Sequence, residues 1–596
     1  MSLTAPSLPA ALSWSRLTEG WRGPALAALV TFLAALPGLF ALPPLDRDES
    51  RFVQATTQML ETGDFVAIRY QDAPRDKKPV GIHWLQAAAV KLAARVEARP
   101  IWAFRLPSLL GAMTAAAACA WGAAAFLSPR RATLAGLVLG ATLVLSSEAF
   151  IAKTDAVLCG CVTLSMAALA RIYAASRGVG RAGFWTLFAF WAAQGLGILD
   201  KGLAPLMPAL AILFLWGVDK EVRWARRLGW SWGLLLVALI VLPWAVAITI
   251  STDGRFWTGA VAGDLAPKLK GGHESHGAPP GLHALLAPIL IFPSSALLPA
   301  GLALIWRRVR PAEPAGWRFW RHFKLSEDPF VRFAAAWLVP SWIVFELAPT
   351  KLAHYTMPLY GALAWLIAAA WARPQGRWTR WIGVALGVYA GAILTLLPIF
   401  AAKTYGAPGL MPLGLFAALI ALAAAGAGVF AVLNAGQGEP RRQGRAELAV
   451  GVMLAGGVTL HMLLAGVLAP KLDPLWTSKR AADMLARDKL DPRDGEVQGP
   501  VAVAGYAEPS LVFALGTHTE LGGAPEAAEA IADERPVLVE QKLDAAFRQA
   551  LAARKLKAEK VDQVDGYDYS SGKPVSLTLW RAADEEPGPP NPGAAK

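Results

Sequence analysis

A cluster of charge stands directly behind the first long apolar run of this chain: Asp46-Arg47-Asp48-Glu49-Ser50-Arg51 follows the run from Pro24 to Leu42. Charges at a membrane boundary are solvated by headgroups and water, but adjacent carboxylates are not needed to fix topology. A carboxylate here is suited to act as general base toward an acceptor hydroxyl or phosphate, a role that supplies about 10²–10⁴ in rate. If a helix begins at this point, Asp48 and Arg51 share one of its faces. A second motif reads Arg75-Asp76-Lys77-Lys78-Pro79-Val80-Gly81-Ile82-His83-Trp84. Paired lysines ahead of an amphipathic helix anchor lipid headgroups. Alternatively, they neutralise the phosphate of a lipid-linked substrate and stabilise it as a leaving group.

Further polar residues recur where later apolar runs end: Glu148, Lys153 and Asp155; Asp200 and Lys201; Glu346, Lys351, His354 and Tyr355. Singly, each reads as an ion pair or a helix cap. Collected at one membrane face, they mark a polar cavity. The segment from Asp264 to Gly277 adds Lys268, Lys270, His273, Glu274 and His276 among glycines, which suits a mobile loop closing over an anionic donor. His273, Glu274 and His276 carry metal-ligand atoms, but no second cluster with ligand spacing accompanies them, and no metal is expected.

The elements that must position these residues are membrane helices. Of the 596 residues, 55% are hydrophobic and only 17% charged, against roughly 25% charged in soluble domains. The apolar excess lies in runs such as Trp232 to Ile250 and Leu413 to Val432, long enough to cross a bilayer core. About thirteen spans are expected, near 24–43, 101–127, 132–148, 156–174, 183–199, 203–218, 228–250, 284–306, 329–348, 355–372, 379–400, 410–434 and 447–469. The net charge of +13 resides in short loops between them, which argues for topology and against nucleic-acid binding. Alternate loops are rich in arginine (Arg130 and Arg131; Arg171, Arg177 and Arg181; Arg373, Arg377 and Arg380; Arg441, Arg442 and Arg445), which sets the N-terminus in the cytoplasm and the C-terminus outside. Arg16 and Arg22 precede an uncleaved first span. Cys119, Cys159 and Cys161 all fall in apolar segments and read as small helix residues.

Two outer loops are longer than connectors. Residues 46–100 hold amphipathic stretches at Glu49 to Leu60 and Val80 to Ala94, expected to lie along the interface, and residues 251–283 form the other. Beyond residue 470 the composition becomes that of a soluble α/β domain spanning 471–582. Its expected strands are Pro500 to Ala504, Leu511 to Leu515 and Pro536 to Val539, followed by a helix from Leu543 to Lys555. Gly572-Lys573-Pro574 separates two terminal strands. Residues 583–596 read as a disordered tail.

In this order and spacing, five motifs resemble those of GT-C glycosyltransferases. More narrowly, they resemble the bacterial lipid A aminoarabinose transferases and their protein-mannosyltransferase-like relatives. Asp48-Glu49-Ser50-Arg51 is similar to the acidic motif after the first span. Lys77-Lys78-Pro79 with Trp84 is similar to a Glu-Lys-Pro motif, and Lys153-Thr154-Asp155 to a Lys-Thr-Asp signature. Asp200-Lys201-Gly202 resembles a Thr-Lys-Gly turn, and Lys351-Leu352-Ala353-His354-Tyr355 a Lys-Leu-Pro-His-Tyr signature. The resemblance covers residues 24–470.

It implies an all-α polytopic membrane protein of GT-C type, with interfacial helices and a C-terminal soluble α/β domain. It also implies inverting transfer of a sugar from an undecaprenyl (polyprenyl) phosphate carrier to a lipid A, polysaccharide or other envelope acceptor, at the periplasmic face of a bacterial inner membrane. No cofactor or catalytic metal is implied. Asp48 would be the catalytic carboxylate, with Glu49 and Arg51 beside it. Lys78, Tyr355, Lys351, Lys268, Lys270 and His273 would meet the carrier phosphate, supported by Asp155, Lys153, Lys201, His83 and His354. Lys77 stands where the family has glutamate, and Ala353 and Gly361 where it often has proline, which points to a branch with another sugar or acceptor. A protein O-mannosyltransferase or galacturonosyltransferase is the nearest alternative. A lipid-linked sugar transporter fits less well, because the polar residues gather at one face rather than at mid-membrane.

Overall fold

The computed structural model describes residues 14–45, 47–202, 204–267, 277–308 and 323–583. Eight helices among them are long and apolar enough to cross a membrane: Arg22–Ala41, Ile101–Ala123, Thr154–Ser176, Trp230–Ser251, Pro329–Leu347, Arg377–Tyr405, Met411–Asn434 and Pro440–Lys471. The other five expected spans coincide with elements that are shorter, interrupted or less apolar. The run at 132–148 is broken into Pro129–Gly140 and Leu143–Glu148. The run at 284–306 is broken into Leu282–Leu290, Ser294–Leu297 and Leu298–Ala303. Phe184–Lys201, Leu206–Asp219 and Tyr360–Ala370 complete the set. The chain is a multi-pass membrane protein, and Leu235, Leu239, Leu242 and Val246 expose an apolar face to the bilayer.

Small residues let the central helices approach closely, as membrane helices without a hydrophobic driving force require. A Cβ on Gly111 would stand 2.7 Å from the carbonyl oxygen of Ala156, and one on Gly160 would stand 2.6 Å from that of Gly111. Ile101–Ala123 and Thr154–Ser176 therefore touch through backbone, immediately beside Asp155.

Both amphipathic stretches of the first outer loop are helices, Asp48–Thr62 and Gly81–Ala93, joined through a two-residue hairpin. The second outer loop is helical where it begins, at Arg255–Thr258 and then a π-helix, Gly259–Leu265.

The C-terminal unit carries a five-stranded sheet in the order Glu520–Gly522, Ala502–Ala504, Val537–Glu540, Pro574–Ala582, Ala558–Tyr567. The first three strands are parallel and the last two form an antiparallel hairpin across Gly572. One expected strand is corrected: Leu511 to Leu515 lies in a helix, Pro509–Leu515. A five-residue apolar run has no readable period, and Pro509 at the first helical position favours helix initiation. The helices Thr477–Arg487 and Ala524–Ala532 were not expected. The sheet unit sits over the first outer helix: Gln54 donates to Thr517 Oγ1 at 2.8 Å, and Arg99 bridges Gln54, Glu61 and the Phe513 carbonyl. Most of the 583–596 tail lies outside the described residues.

Candidate active site

The site is assembled around the turn from the first span into the first outer helix. Arg47 takes a left-handed φ of 63°, a conformation that non-glycine residues adopt at some cost. It turns the chain so that Asp48 and Glu49 occupy the first turn of Asp48–Thr62. Carboxylates there interact favourably with the helix dipole. Successive helix residues point about 100° apart, and the two acids diverge.

Glu49 turns inward and is fully buried. Its Oε1 accepts from Arg105 Nε at 2.9 Å and the Ala152 amide at 2.7 Å, and its Oε2 accepts from Arg105 Nη2 at 2.9 Å and the Leu45 amide at 2.7 Å. Arg105 in turn donates to the carbonyls of Gly38, Leu39, Leu42 and Pro43. These include carbonyls that the end of the first span leaves without helical partners. One saturated pair thus fixes the end of the first span, the start of the motif helix and the loop leading to Lys153. Glu49 is closed off from solvent, so its expected place among the catalytic groups is corrected to that of a buried anchor beside Asp48.

Asp48 is exposed to solvent. Burial works against its charge, but the fields of Lys153, Lys78 and Arg75 prevail and hold its carboxyl below the usual carboxylate value of 3.8. Ionised, it is competent to accept a proton. Arg75 sits over the Phe52 ring, 5.1 Å from its centroid. Arg51 is half-buried on the same helix.

Behind this group lies a network of alternating charge. Lys153 Nζ pairs with Glu148 at 3.1 Å and Asp155 at 3.4 Å, and Lys201 pairs with Asp155. His354 bridges the two acids, Nδ1 to Glu148 and Nε2 to Asp155, each at 3.5 Å. Lys201 Nζ lies 5.4 Å from the centroid of the Tyr355 ring, which meets His354 edge-on. Asp155, Lys153, Lys201, His354 and Tyr355, separated by up to 202 positions in sequence, therefore meet at one end of the helix bundle. Lys78 contributes its field to both Asp48 and Asp200.

Two further expected site residues lie within the framework. Lys351 is buried and donates to the carbonyls of Ala278 at 3.0 Å and Ala348 at 2.5 Å. It ties the end of the second outer loop to the 349–351 segment, where Gly277 also bridges Thr350, so its expected contact with phosphate is corrected to an anchoring one. His83 is buried with Nδ1 2.8 Å from Thr56 Oγ1, and Thr56 also donates to Gln86, which holds the Ala152 carbonyl. Burial, aided by Arg75, pushes the His83 imidazole down to about 3. It is a neutral strut between the two outer helices and the Lys153 loop. Lys268, Lys270, His273, Glu274 and His276 lie outside the described residues.

Arg105 was the functional residue that motif reading missed. Its signal was available: an arginine inside an apolar span implies an internal partner.

Residues 77–246 match the family model described as dolichyl-phosphate-mannose-protein mannosyltransferase. An undecaprenyl phosphate-alpha-4-amino-4-deoxy-L-arabinose arabinosyl transferase of Pseudomonas paraeruginosa is 30% identical over 346 residues, covering 56% of this chain and 58% of that relative. The transferase of the same name from Edwardsiella ictaluri is 26% identical over 390 residues, 64% of this chain and 66% of the relative. The chain thus matches less than two thirds of the length of these curated relatives. Among solved structures, the crystal structure of ArnT from Cupriavidus metallidurans bound to undecaprenyl phosphate superposes with a TM-score of 0.69 at 19% identity, over 96% of this chain and 98% of that one. The two share a fold.

Proposed function

From a chain that is aminoarabinose-transferase-like and has the GT-C fold, we propose an inverting glycosyltransferase that moves a sugar from an undecaprenyl-phosphate carrier to lipid A or another envelope acceptor. The observation that carries the reading is Asp48 at the head of its helix within the fields of Lys153, Lys78 and Arg75, which hold its carboxyl below the usual carboxylate value. A base for a hydroxyl and cations for a phosphate stand within one electrostatic neighbourhood, which is what transfer from a glycosyl phosphate demands.

In the proposed reaction Asp48 takes the proton of the acceptor hydroxyl as its oxygen attacks the anomeric carbon. The bond from that carbon to the phosphate oxygen breaks, and the electron pair leaves with the lipid phosphate. Lys78 and the neighbouring cations stabilise the charge that develops there, as preorganised electrostatic groups do in phosphate-releasing sites. Attack opposite the departing phosphate inverts the anomeric centre. Lys153 and Lys201 counter the charge of Glu148 and Asp155, with His354 set between the two acids and Tyr355 against Lys201.

The positive-inside bias supports a cytoplasmic N-terminus, with the site and residues 471–582 in the periplasm above a catalytic membrane domain, 1–470. The donor's polyprenyl chain would lie among the membrane helices. Mannosyl transfer to protein is a second reading, favoured by the 77–246 match.

The test is to incubate the purified protein with undecaprenyl-phosphate aminoarabinose and other polyprenyl-phosphate sugars, each with lipid A and with a secreted protein. Mass spectrometry then follows the products. Sugar-modified lipid A together with released carrier phosphate is expected. Failure of every donor to release carrier phosphate would sink the reading, and modification of protein alone would select the second.

A further inference from the structure

The end of the bundle remote from Asp48 holds a cavity of ≈ 700 Å³ that the proposed reaction does not use. Trp21, Thr114, Trp121, Leu127, Leu164 and Arg171 form much of its wall. Arg171 lies 16 residues after Asp155 on the same helix, Thr154–Ser176, a separation of about 24 Å along the axis. Since a bilayer core is about 30 Å thick, the cavity opens at the opposite membrane interface from the candidate active site.

Its lining combines two chemistries. Alanines and leucines make the walls apolar, while Arg171 supplies a half-buried guanidinium. That group is held in place: Nη1 donates to the Trp121 carbonyl at 2.9 Å, and the guanidinium stacks 4.8 Å from the centroid of the Trp121 ring. Among the described residues no carboxylate pairs with Arg171, in contrast to Arg177, a few residues further along, which pairs with Asp219. Arg130 and Arg131 follow the lining residue Pro129 in the chain, and neither pairs with a carboxylate among the described residues. An orienting carbonyl and ring without a counter-charge leave the remaining guanidinium N–H groups available to an anion. Trp21 stands exposed at the mouth, as interfacial tryptophans do.

The geometry points to a binding site for one anionic phospholipid of the resident bilayer. Its acyl chain fills the cavity and its phosphate lies against Arg171, with Arg130 and Arg131 at the headgroup level. A basic pocket between membrane helices is the recognised chemistry of such sites, and the volume is that of an ordinary ligand pocket. The site is independent of the sugar donor and lies across the membrane from it.

Native mass spectrometry of the full-length protein in detergent, titrated with phosphatidylglycerol or phosphatidylcholine, tests this. The wild type should retain phosphatidylglycerol with about fivefold preference or more. Arg171→Gln should lose most of that preference while still admitting both lipids. Thr114→Trp, which fills the cavity from an exposed position, should reduce retention of both. Equal retention by the wild type and both variants would overturn the proposal. So would displacement of phosphatidylglycerol by glycerol 3-phosphate at equal concentration, since the cavity would then hold no acyl chain.

Discussion

Asp48 and Glu49 are adjacent in sequence and chemically alike, and the fold gives them opposite surroundings. Asp48 stays exposed to solvent within the fields of Lys153, Lys78 and Arg75. Glu49 faces the protein and is saturated by Arg105 and two backbone amides. The difference teaches that the acidic motif is two devices in one: a reactive carboxylate, and an anchor that fixes where the reactive one points. A motif read as letters gives both acids to chemistry. A helix turn assigns only one of them.

The largest expected effect breaks the anchor. Glu49→Gln leaves the Arg105 guanidinium buried without its counter-charge, a loss of about 3–5 kcal/mol by the precedent of buried pairs. Thermal melting in detergent should register it, with transfer failing alongside the fold. The pair Glu49→Gln with Arg105→Met should recover part of the loss. If Glu49→Gln alone melts like the wild type, Glu49 is not the anchor.

The next variant keeps the fold and removes one cation from the reactive side. Lys78→Met should cost roughly 10²-fold in kcat, the usual effect of deleting one transition-state donor, with the melting temperature unchanged. A smaller effect separates anchors from reactive groups elsewhere in the site. Lys351→Met removes charged hydrogen bonds to two carbonyls and should cost about 1.5–3 kcal/mol in stability, leaving the KM for the lipid donor within a fewfold. A large rise in that KM with unchanged melting would return Lys351 to the phosphate.

The smallest expected effect is in pH dependence. The folded Asp48 carboxyl titrates below its ordinary value of 3.8. Its ionised form, and the stability contributed by its cationic surroundings, are therefore fully present above that value and are lost as pH falls through the folded pKa. The acid limb of kcat/KM should lie below pH 3.8 where this carboxyl governs it, and Lys78→Met should move it upward. An unmoved limb would detach Lys78 from Asp48.

Much of this was legible in the chain because the informative residues sit where apolar runs stop. Asp48, Lys153, Asp155, Lys201, His354 and Tyr355 each follow or end such a run, Lys78 lies in the outer loop between two of them, and hydropathy with arginine placement puts all of them at one face. Convergence of the Asp155 network within that face was not legible, since hydropathy fixes depth in the membrane but not angle around the bundle. Arg105 hid inside a span. Lys351 read as a phosphate contact and His83 as a supporting residue, and only packing reveals that one is taken up by carbonyls and the other kept neutral. In the sheet unit, an apolar run located Val537–Glu540 and the Gly572-Lys573-Pro574 turn the terminal hairpin, while Leu511 to Leu515 was too short for its period to separate strand from helix.

The central claim is that Asp48 is the base and Glu49 its support, and one comparison tests it most directly. Asp48→Asn should bind undecaprenyl phosphate and melt as the wild type does, while sugar transfer to acceptor falls by about 10²–10⁴. Transfer at the wild-type rate in that variant would contradict the account, and the reacting carboxylate would have to be sought elsewhere in the site.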